Sequence, residues 1–326
     1  MSVIRCPICE SEVSWHDCKE TYYSTYNGQE YRRFECPNCD LHWWEPLKIV
    51  PEFYEGEGCL AYRLFHRDLR MELPEWCKPF FKHFPKTEVR GKLLDVGCGD
   101  GLFLKYARDM GFEIWGIDID KKSIEIAKRR LGDENLYPMS LEEFYEFAKL
   151  KNLKFDVITF FEVLEHQDRP REFLKIVKDL LKDDGYIAGS VPNRNSIFVR
   201  FFNKYSCSDN PPHHFLRFSE KALERALKLS GFLEVEIYRL DFSLAGLFLY
   251  IEKKIFGNLD DFKAKLISRI ERGALTVEEV AKISPRKALY LQVLRAFRNF
   301  SLLPFVPFYI KKLKGNGISL YFQAKK

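Results

Sequence analysis

Three sets of residues in this chain combine types and spacings that could do chemistry. The first is a pair of thiol turns, Cys6-Pro-Ile-Cys9 and Cys36-Pro-Asn-Cys39, with 26 residues between them. Two thiolates three positions apart can hold one tetrahedral ion from a tight turn, and two such turns close a four-sulfur site. With Cys6, Cys9, Cys36 and Cys39 as ligands the ion keeps no open position, so the expected role is a structural zinc. His16 and Cys18 lie between the turns as substitutes that such a site does not need.

The second set is Asp95-Val-Gly97-Cys98-Gly99-Asp-Gly101, which follows an apolar run and opens a helical pattern. Glycines serve where the backbone must turn tightly and lie close to a ligand. An acid, Asp118, ends the next apolar run, where a carboxylate can accept from both hydroxyls of a ribose. Asp95 would repel a pyrophosphate but suits the ammonium of an amino-acid moiety. The third set is His166 with the adjacent pair His213 and His214. Histidine titrates near neutral pH, so each is a candidate base. The plainer roles are a loop-orienting His166 and a surface turn after Pro211-Pro212.

The elements that must position these groups fall into blocks. Residues 1–50 read as a zinc ribbon, its hairpin strands Thr21–Tyr26 and Gln29–Phe34 joined at Asn27-Gly28. Residues 51–85 read as a helical lid with short amphipathic stretches, Tyr62–Phe65 and Trp76–Phe84. Residues 86–240 alternate apolar strands with helices, the pattern of a parallel sheet covered on both faces. The expected strands are Lys92–Val96, Glu113–Ile117, Asn135–Tyr137, Phe155–Phe161, Gly185–Val191 and Leu233–Leu240. Helices are expected near 101–110, 121–131, 141–150, 170–182 and 219–230, the last between Ser219 as N-cap and Gly231 as stop. Residues 241–314 form a basic helical insertion, and 315–326 supply the last strand, Ile318–Ala324. The expected fold class is therefore α/β, a Rossmann-like, mostly parallel seven-stranded sheet with a small N-terminal ribbon.

Composition narrows the class. The chain has 326 residues, 46% hydrophobic and 30% charged, as in ordinary globular proteins. No run approaches the roughly 18 apolar residues of a membrane span; Ser301–Ile310 is interrupted by Pro304 and Pro307. The first residues lack a charged segment followed by an apolar run, so a secretory signal is not expected. A reducing, cytoplasmic setting follows, in which the nine cysteines are not a disulfide framework. The net charge of +5 is uneven. Residues 1–50 carry five basic and eight acidic side chains, whereas 252–314 carry 14 basic and six acidic. Attraction to phosphate or to an anionic membrane face is thus expected in the insertion.

Asp95–Gly101, Gly116-Ile-Asp118 and Phe155-Asp-Val-Ile-Thr-Phe-Phe-Glu-Val-Leu-Glu-His166 resemble successive motifs of class I S-adenosylmethionine (SAM)-dependent methyltransferases. The nearest branch holds the ubiquinone-biosynthesis O-methyltransferases and methyltransferases of polysaccharide and lipid pathways. His213-His-Phe-Leu-Arg-Phe-Ser219 resembles a later motif of that branch. The resemblance implies that Gly97, Cys98 and Gly99 wrap the methionine part of SAM, with Asp95 and Gly101 beside them. It places Asp118 on the ribose, Ile119 on the adenine, and Ser140 and Leu141 at the border of the base. Phe161 and Glu162 would lie close to the transferred methyl, and Glu162 with Glu165 is a further candidate pair for a divalent ion.

The acceptor expected from this branch is a small molecule, a glycan or a lipid-linked molecule. Apolar groups among the lysines of 241–314 suit peripheral contact with an anionic inner membrane face, or equally a lid packed on the core. An RNA methyltransferase using the ribbon is the weaker alternative, because the ribbon is acidic. A non-catalytic SAM-binding protein is the third reading.

Overall fold

The computed structural model describes residues 3–50, 52–55, 72–84, 91–132, 135–202, 210–242, 247–248, 250–251, 304 and 306–326. Tyr62–Phe65 and most of the 241–314 insertion lie outside the described residues. A seven-stranded sheet dominates: β6 (Lys92–Val96), β7 (Glu113–Ile117), β8 (Leu136–Tyr137), β9 (Phe155–Phe161), β10 (Leu181–Pro192), β12 (Leu233–Arg239) and β13 (Ser319–Lys325). Its order is β12-β13-β10-β9-β6-β7-β8. The five strands from β10 to β8 are parallel, and β13 runs antiparallel to both β10 and β12. The reversal at β13 makes the sheet mostly parallel, as expected.

The strands are near-continuous apolar runs because helices cover both faces. Leu93, Leu94, Val157, Ile158, Phe160 and Ile187 are fully buried. The helices begin where side chains replace missing backbone partners. Asp120 accepts from the N–H of Lys122 to start Lys121–Leu131. Ser140 and Glu143 form a reciprocal capping box at Leu141–Leu150, and Ser219 caps Glu220–Leu229. β8, β12 and β13 differ from the expected limits by one residue at one end or both, and β10 departs most. β10 starts at Leu181, four residues before Gly185, because Leu181 already pairs with Phe155 ahead of an irregularity.

The ribbon holds β1 (Val3–Arg5), β2 (Glu12–Ser14), β3 (Glu20–Ser24), β4 (Gln29–Glu35) and β5 (His42–Glu45). The hairpin is expected at a two-residue Asn27-Gly28 turn, but Ser24 pairs with Gln29, so the loop spans 25–28. Asn27 is held by donating through Nδ2 to the Tyr31 hydroxyl at 2.8 Å.

The ribbon is fastened to the α/β core. β11 (Leu216–Arg217), from the loop after β10, pairs with β5 and extends the ribbon sheet to four strands. Trp43 and Trp44 are fully buried, and Trp43 belongs to an apolar cluster continuous with Leu164 and Leu174 of the core. Asp40, just after the second thiol turn, accepts from Arg194 at 2.6 Å and from the Ser219 hydroxyl. Ahead of β6, the helix Lys78–His83 buries Phe80 against Phe84 and Phe103, with ring centroids 4.5 and 5.2 Å apart. No helix among the described residues is long and apolar enough to cross a membrane.

Candidate active site

The glycine turn leaves β6 at Val96 and folds back onto the neighbouring strand. The N–H groups of Gly97 and Cys98 both donate to the Ile117 carbonyl, at 2.8 and 3.0 Å. Gly97 has φ +74°, and a Cβ there would stand 2.7 Å from Val163 Cγ2. Gly101 has φ +73° and begins the helix Leu102–Asp109. Its added Cβ would meet Leu131 at 2.8 Å and Ala127 at 3.0 Å, so this glycine is required by helix packing. Cys98 is buried under the turn among Phe103, Leu104 and Leu136.

Two acids lie beneath and beside the turn. Asp118 is 7% exposed. Its Oδ2 accepts from Gly99 N–H and its Oδ1 from Asp120 N–H, both at 2.9 Å. Burial pushes its pKa up to about 6, against those two hydrogen bonds. Each oxygen keeps a second acceptor site, enough for the two hydroxyls of a ribose. Asp95 is 3% exposed and accepts from the Thr159 hydroxyl at 2.6 Å. Burial raises its pKa to about 8, with the Asp118 charge adding to the rise. Asp95 is thus tied to β9 at the strand end that precedes the turn. Ile119 is exposed next to Asp118, free to pack on a flat ring. Ser140 is engaged as the helix cap and Leu141 is buried. The turn, the acceptor pair on Asp118 and exposed Ile119 fit SAM in chemistry.

At the end of β9, Phe161 is buried against Phe103, with ring centroids 4.7 Å apart. Glu162 adopts φ +55°, an unfavourable conformation for a residue with a Cβ and a frequent mark of functional sites. It is held by accepting from the Ser190 hydroxyl at 2.8 Å and donating its N–H to Ser190 O at 2.9 Å.

The short turn Leu164–His166 carries Glu165 and His166, and the segment before β11 carries His213 and His214. The structure brings the three histidines together. Ring centroids are 4.7 Å apart for His166–His213, 4.8 Å for His166–His214 and 4.3 Å for the stacked His213–His214 pair. Burial, then the two neighbouring imidazoles, holds the His166 pKa well below the usual range. Glu162 and Glu165, considered as a carboxylate pair, face different partners: Ser190 for the first, the histidines for the second.

The four thiols converge as the spacing predicts. Sγ atoms lie 3.5 Å apart for Cys6–Cys39 and 3.3 Å for Cys9–Cys36, and all four fall within 4.8 Å of one another. Zinc–sulfur bonds of about 2.3 Å require edges of roughly 3.8 Å, so the set fits a structural zinc.

Several supporting residues escape a reading by motif. Arg130 locks the turn by donating to Asp100 Oδ2 at 2.8 Å and to Asp100 O at 3.0 Å. Asp100 within the glycine turn is the signal that a basic partner is needed. Ser190 and the Asp40–Arg194 link carry no local sequence signal, because their partners are remote along the chain.

Comparison with known proteins agrees with this geometry. Residues 65–236 match the family described as "Methyltransferase domain". A ubiquinone biosynthesis O-methyltransferase of Glaesserella parasuis is 32% identical over 110 residues, 32% of this chain and 47% of that protein. That of Cereibacter sphaeroides is 29% identical over 179 residues, 53% of this chain and 66% of that protein. The chain therefore spans about half to two thirds of these relatives. In fold it is similar to a SAM-dependent methyltransferase structure from Archaeoglobus fulgidus, at 18% identity and TM-score 0.50, covering 82% of this chain and 98% of that one. The chain belongs to the class I SAM-dependent methyltransferase family.

Proposed function

We propose that this protein transfers the methyl group of SAM to a small-molecule, glycan or lipid-linked acceptor seated beyond the ends of β9 and β10. The observation that carries the reading is the glycine turn tied to β7 with the Asp118 carboxylate behind it. SAM supplies a methyl group already activated on a sulfonium, so the work left to the protein is positioning and, for a hydroxyl or amine acceptor, removal of a proton. Asp118 would orient the ribose, and Ile119 would pack on the adenine. Asp95 would face the methionine ammonium, whose positive charge would favour its ionised form over the protonated one that burial favours in the SAM-free protein. Phe161 and Glu162, fixed by Phe103 and Ser190, would border the methyl. His166, His213 and His214 lie on the acceptor side as candidates to take a proton.

A lipid-linked acceptor is supported by one end of the insertion. The helix Val306–Leu313 buries Leu313 but exposes Phe308 and Ile310 beside Lys311 and Lys312. Exposed apolar side chains beside lysines suit an anionic lipid face met from the cytoplasm.

The test is transfer of radiolabelled methyl from SAM into a source-cell extract, split into organic, aqueous and RNA fractions. Label in the organic or aqueous small-molecule and glycan fractions is expected. Label removed by ribonuclease would replace this reading with the RNA one. Absence of label in every fraction, with SAM still bound, would favour a binding protein.

A further inference from the structure

We propose that the ribbon positions the acceptor side of the site through two residues, Trp44 on β5 and Arg217 on β11. The state of the four thiols then decides how the segment 210–217 is held, while the SAM turn stays intact. What that segment does rests on the reading above, which sets His213 and His214 there as candidates to take a proton. The positioning itself is independent of methyl transfer.

Three links run from the ribbon to the histidines. The Arg217 guanidinium carbon lies 5.4 Å from the centre of the Trp44 ring, a cation–π distance. Its Nη2 donates to Asn210 Oδ1 at 2.9 Å. The Asn210 carbonyl in turn accepts from the backbone N–H groups of His213 and His214, at 3.1 and 3.2 Å. The second link is the backbone of Phe215. Its carbonyl accepts from Trp44 N–H at 3.1 Å, and its own N–H donates to the Glu165 carbonyl at 3.0 Å. One buried residue thus joins β5 to the turn Leu164–His166. Third, Tyr26 of the hairpin loop meets Phe53 edge-on at 5.0 Å, and the Phe53 ring lies 5.5 Å from that of His213.

The thiols reach Trp44 through a short run of chain. Cys36 N–H donates to the Leu41 carbonyl and Asp40 N–H to the Cys36 carbonyl, at 2.8 and 3.1 Å, and β5 begins at His42. An ion on the four sulfurs would therefore fix the start of the strand that carries Trp44. The SAM turn is held from elsewhere: Gly97 and Cys98 donate to Ile117 O, and Gly99 to Asp118 Oδ2. Segments with separate hydrogen-bond sets can open separately. A chain stripped of ribbon zinc would keep a place for SAM and lose the fixed acceptor-side geometry that proximity and orientation require.

The test is amide hydrogen exchange of the full chain, read by mass spectrometry, with SAM affinity measured on the same samples. Below its unfolding temperature, the chain stripped with chelator under reducing conditions should exchange faster over 213–217 and 164–167 than the zinc-loaded chain. Exchange over 96–99 and 116–120, and SAM affinity, should not change. In the zinc-loaded protein, Arg217→Met keeps a long apolar stem on Trp44 but loses the donor to Asn210. Exchange over 213–214 should then rise about tenfold, and Arg217→Lys, which retains a cation, should restore part of the protection. The imidazole resonances of His213 and His214 should shift in Arg217→Met and move back in Arg217→Lys. Unchanged exchange over 213–217 in the stripped chain, or over 213–214 in Arg217→Met, overturns the proposal. So does loss of SAM affinity in step with the faster exchange, which would make the ribbon a support of the whole fold. None of these readouts depends on methyl transfer, so failure here is distinct from failure of the methyltransferase reading.

Discussion

The Asp118 carboxylate at the end of β7 accepts a hydrogen bond at 2.9 Å from the backbone N–H of Gly99 in the turn after β6. One side chain thereby fixes the loop proposed to wrap the methionine half of SAM and, in that proposal, would offer its remaining lone pairs to the ribose half. In the proposed cofactor site, a single carboxylate would thus set both halves across two adjacent parallel strands.

Gly97 and Gly101 should respond differently to the same change. Gly97→Ala places a Cβ 2.7 Å from Val163 in a left-handed backbone, at the mouth of the turn. SAM affinity is expected to drop at least tenfold, or about 1.4 kcal/mol. Gly101→Ala drives a methyl into Leu131 and Ala127 and should destabilise the fold by about 2–4 kcal/mol. Paired SAM titrations and urea unfolding separate the two, and equal effects on both quantities would count against these assignments.

Stability should fall with pH on the alkaline side of neutrality. Asp95 keeps a folded pKa of about 8 against an ordinary 3.8, so the folded state holds a proton that the unfolded chain has lost. Its contribution is full below about pH 4 and is lost as pH rises to about 8. Asp118, at about 6, acts with the same sign over the lower part of that range. His42 acts oppositely: burial and then Arg194 hold it to about 3, so its contribution is lost as pH falls below 6.5. Between pH 6.5 and 8 Asp95 is the group of these three still changing. The SAM-free protein should lose roughly 1 kcal/mol per pH unit there. Asp95→Asn, which keeps an acceptor for Thr159, should flatten the slope in denaturant unfolding. An identical slope in both proteins would contradict the assignment.

The ribbon and the α/β core should melt as one unit. β5 pairs with β11, and Asp40 binds both Arg194 and Ser219, so loss of the ribbon fold strips partners from the core. Zinc removal under reducing conditions is expected to lower the melting temperature in a single transition. Asp40→Ala should cost about 1–2 kcal/mol with the zinc retained. Calorimetry checks both, and two separate transitions in the zinc-loaded protein would show that the link is weak.

Much of this arrangement is legible in the amino acids. Lys92–Val96, Glu113–Ile117 and Phe155–Phe161 are apolar runs bounded by turn residues, and each is a strand with those limits. Ser219 and Gly231 bracket their helix because capping is a local interaction. The four cysteines announce their meeting through paired spacing. The histidine cluster is legible only as three separate residues, because a 47-residue separation hides the contact between His166 and His213. The joining of ribbon to core through β11 is equally silent, since a two-residue strand has no period to read. The long start of β10 at Leu181 is also hidden, because charged Lys182, Asp183 and Asp184 interrupt the apolar pattern.

The central claim is that SAM binds at the turn between Gly97 and Asp118. Isothermal titration of SAM into the zinc-loaded full chain and into Asp118→Asn tests it most directly. Saturable binding of one SAM per chain is expected for the unaltered protein. At least tenfold weaker binding is expected for the variant, whose circular dichroism should be unchanged. No binding by the unaltered protein, or equal affinity in the two, would contradict the placement of the cofactor site.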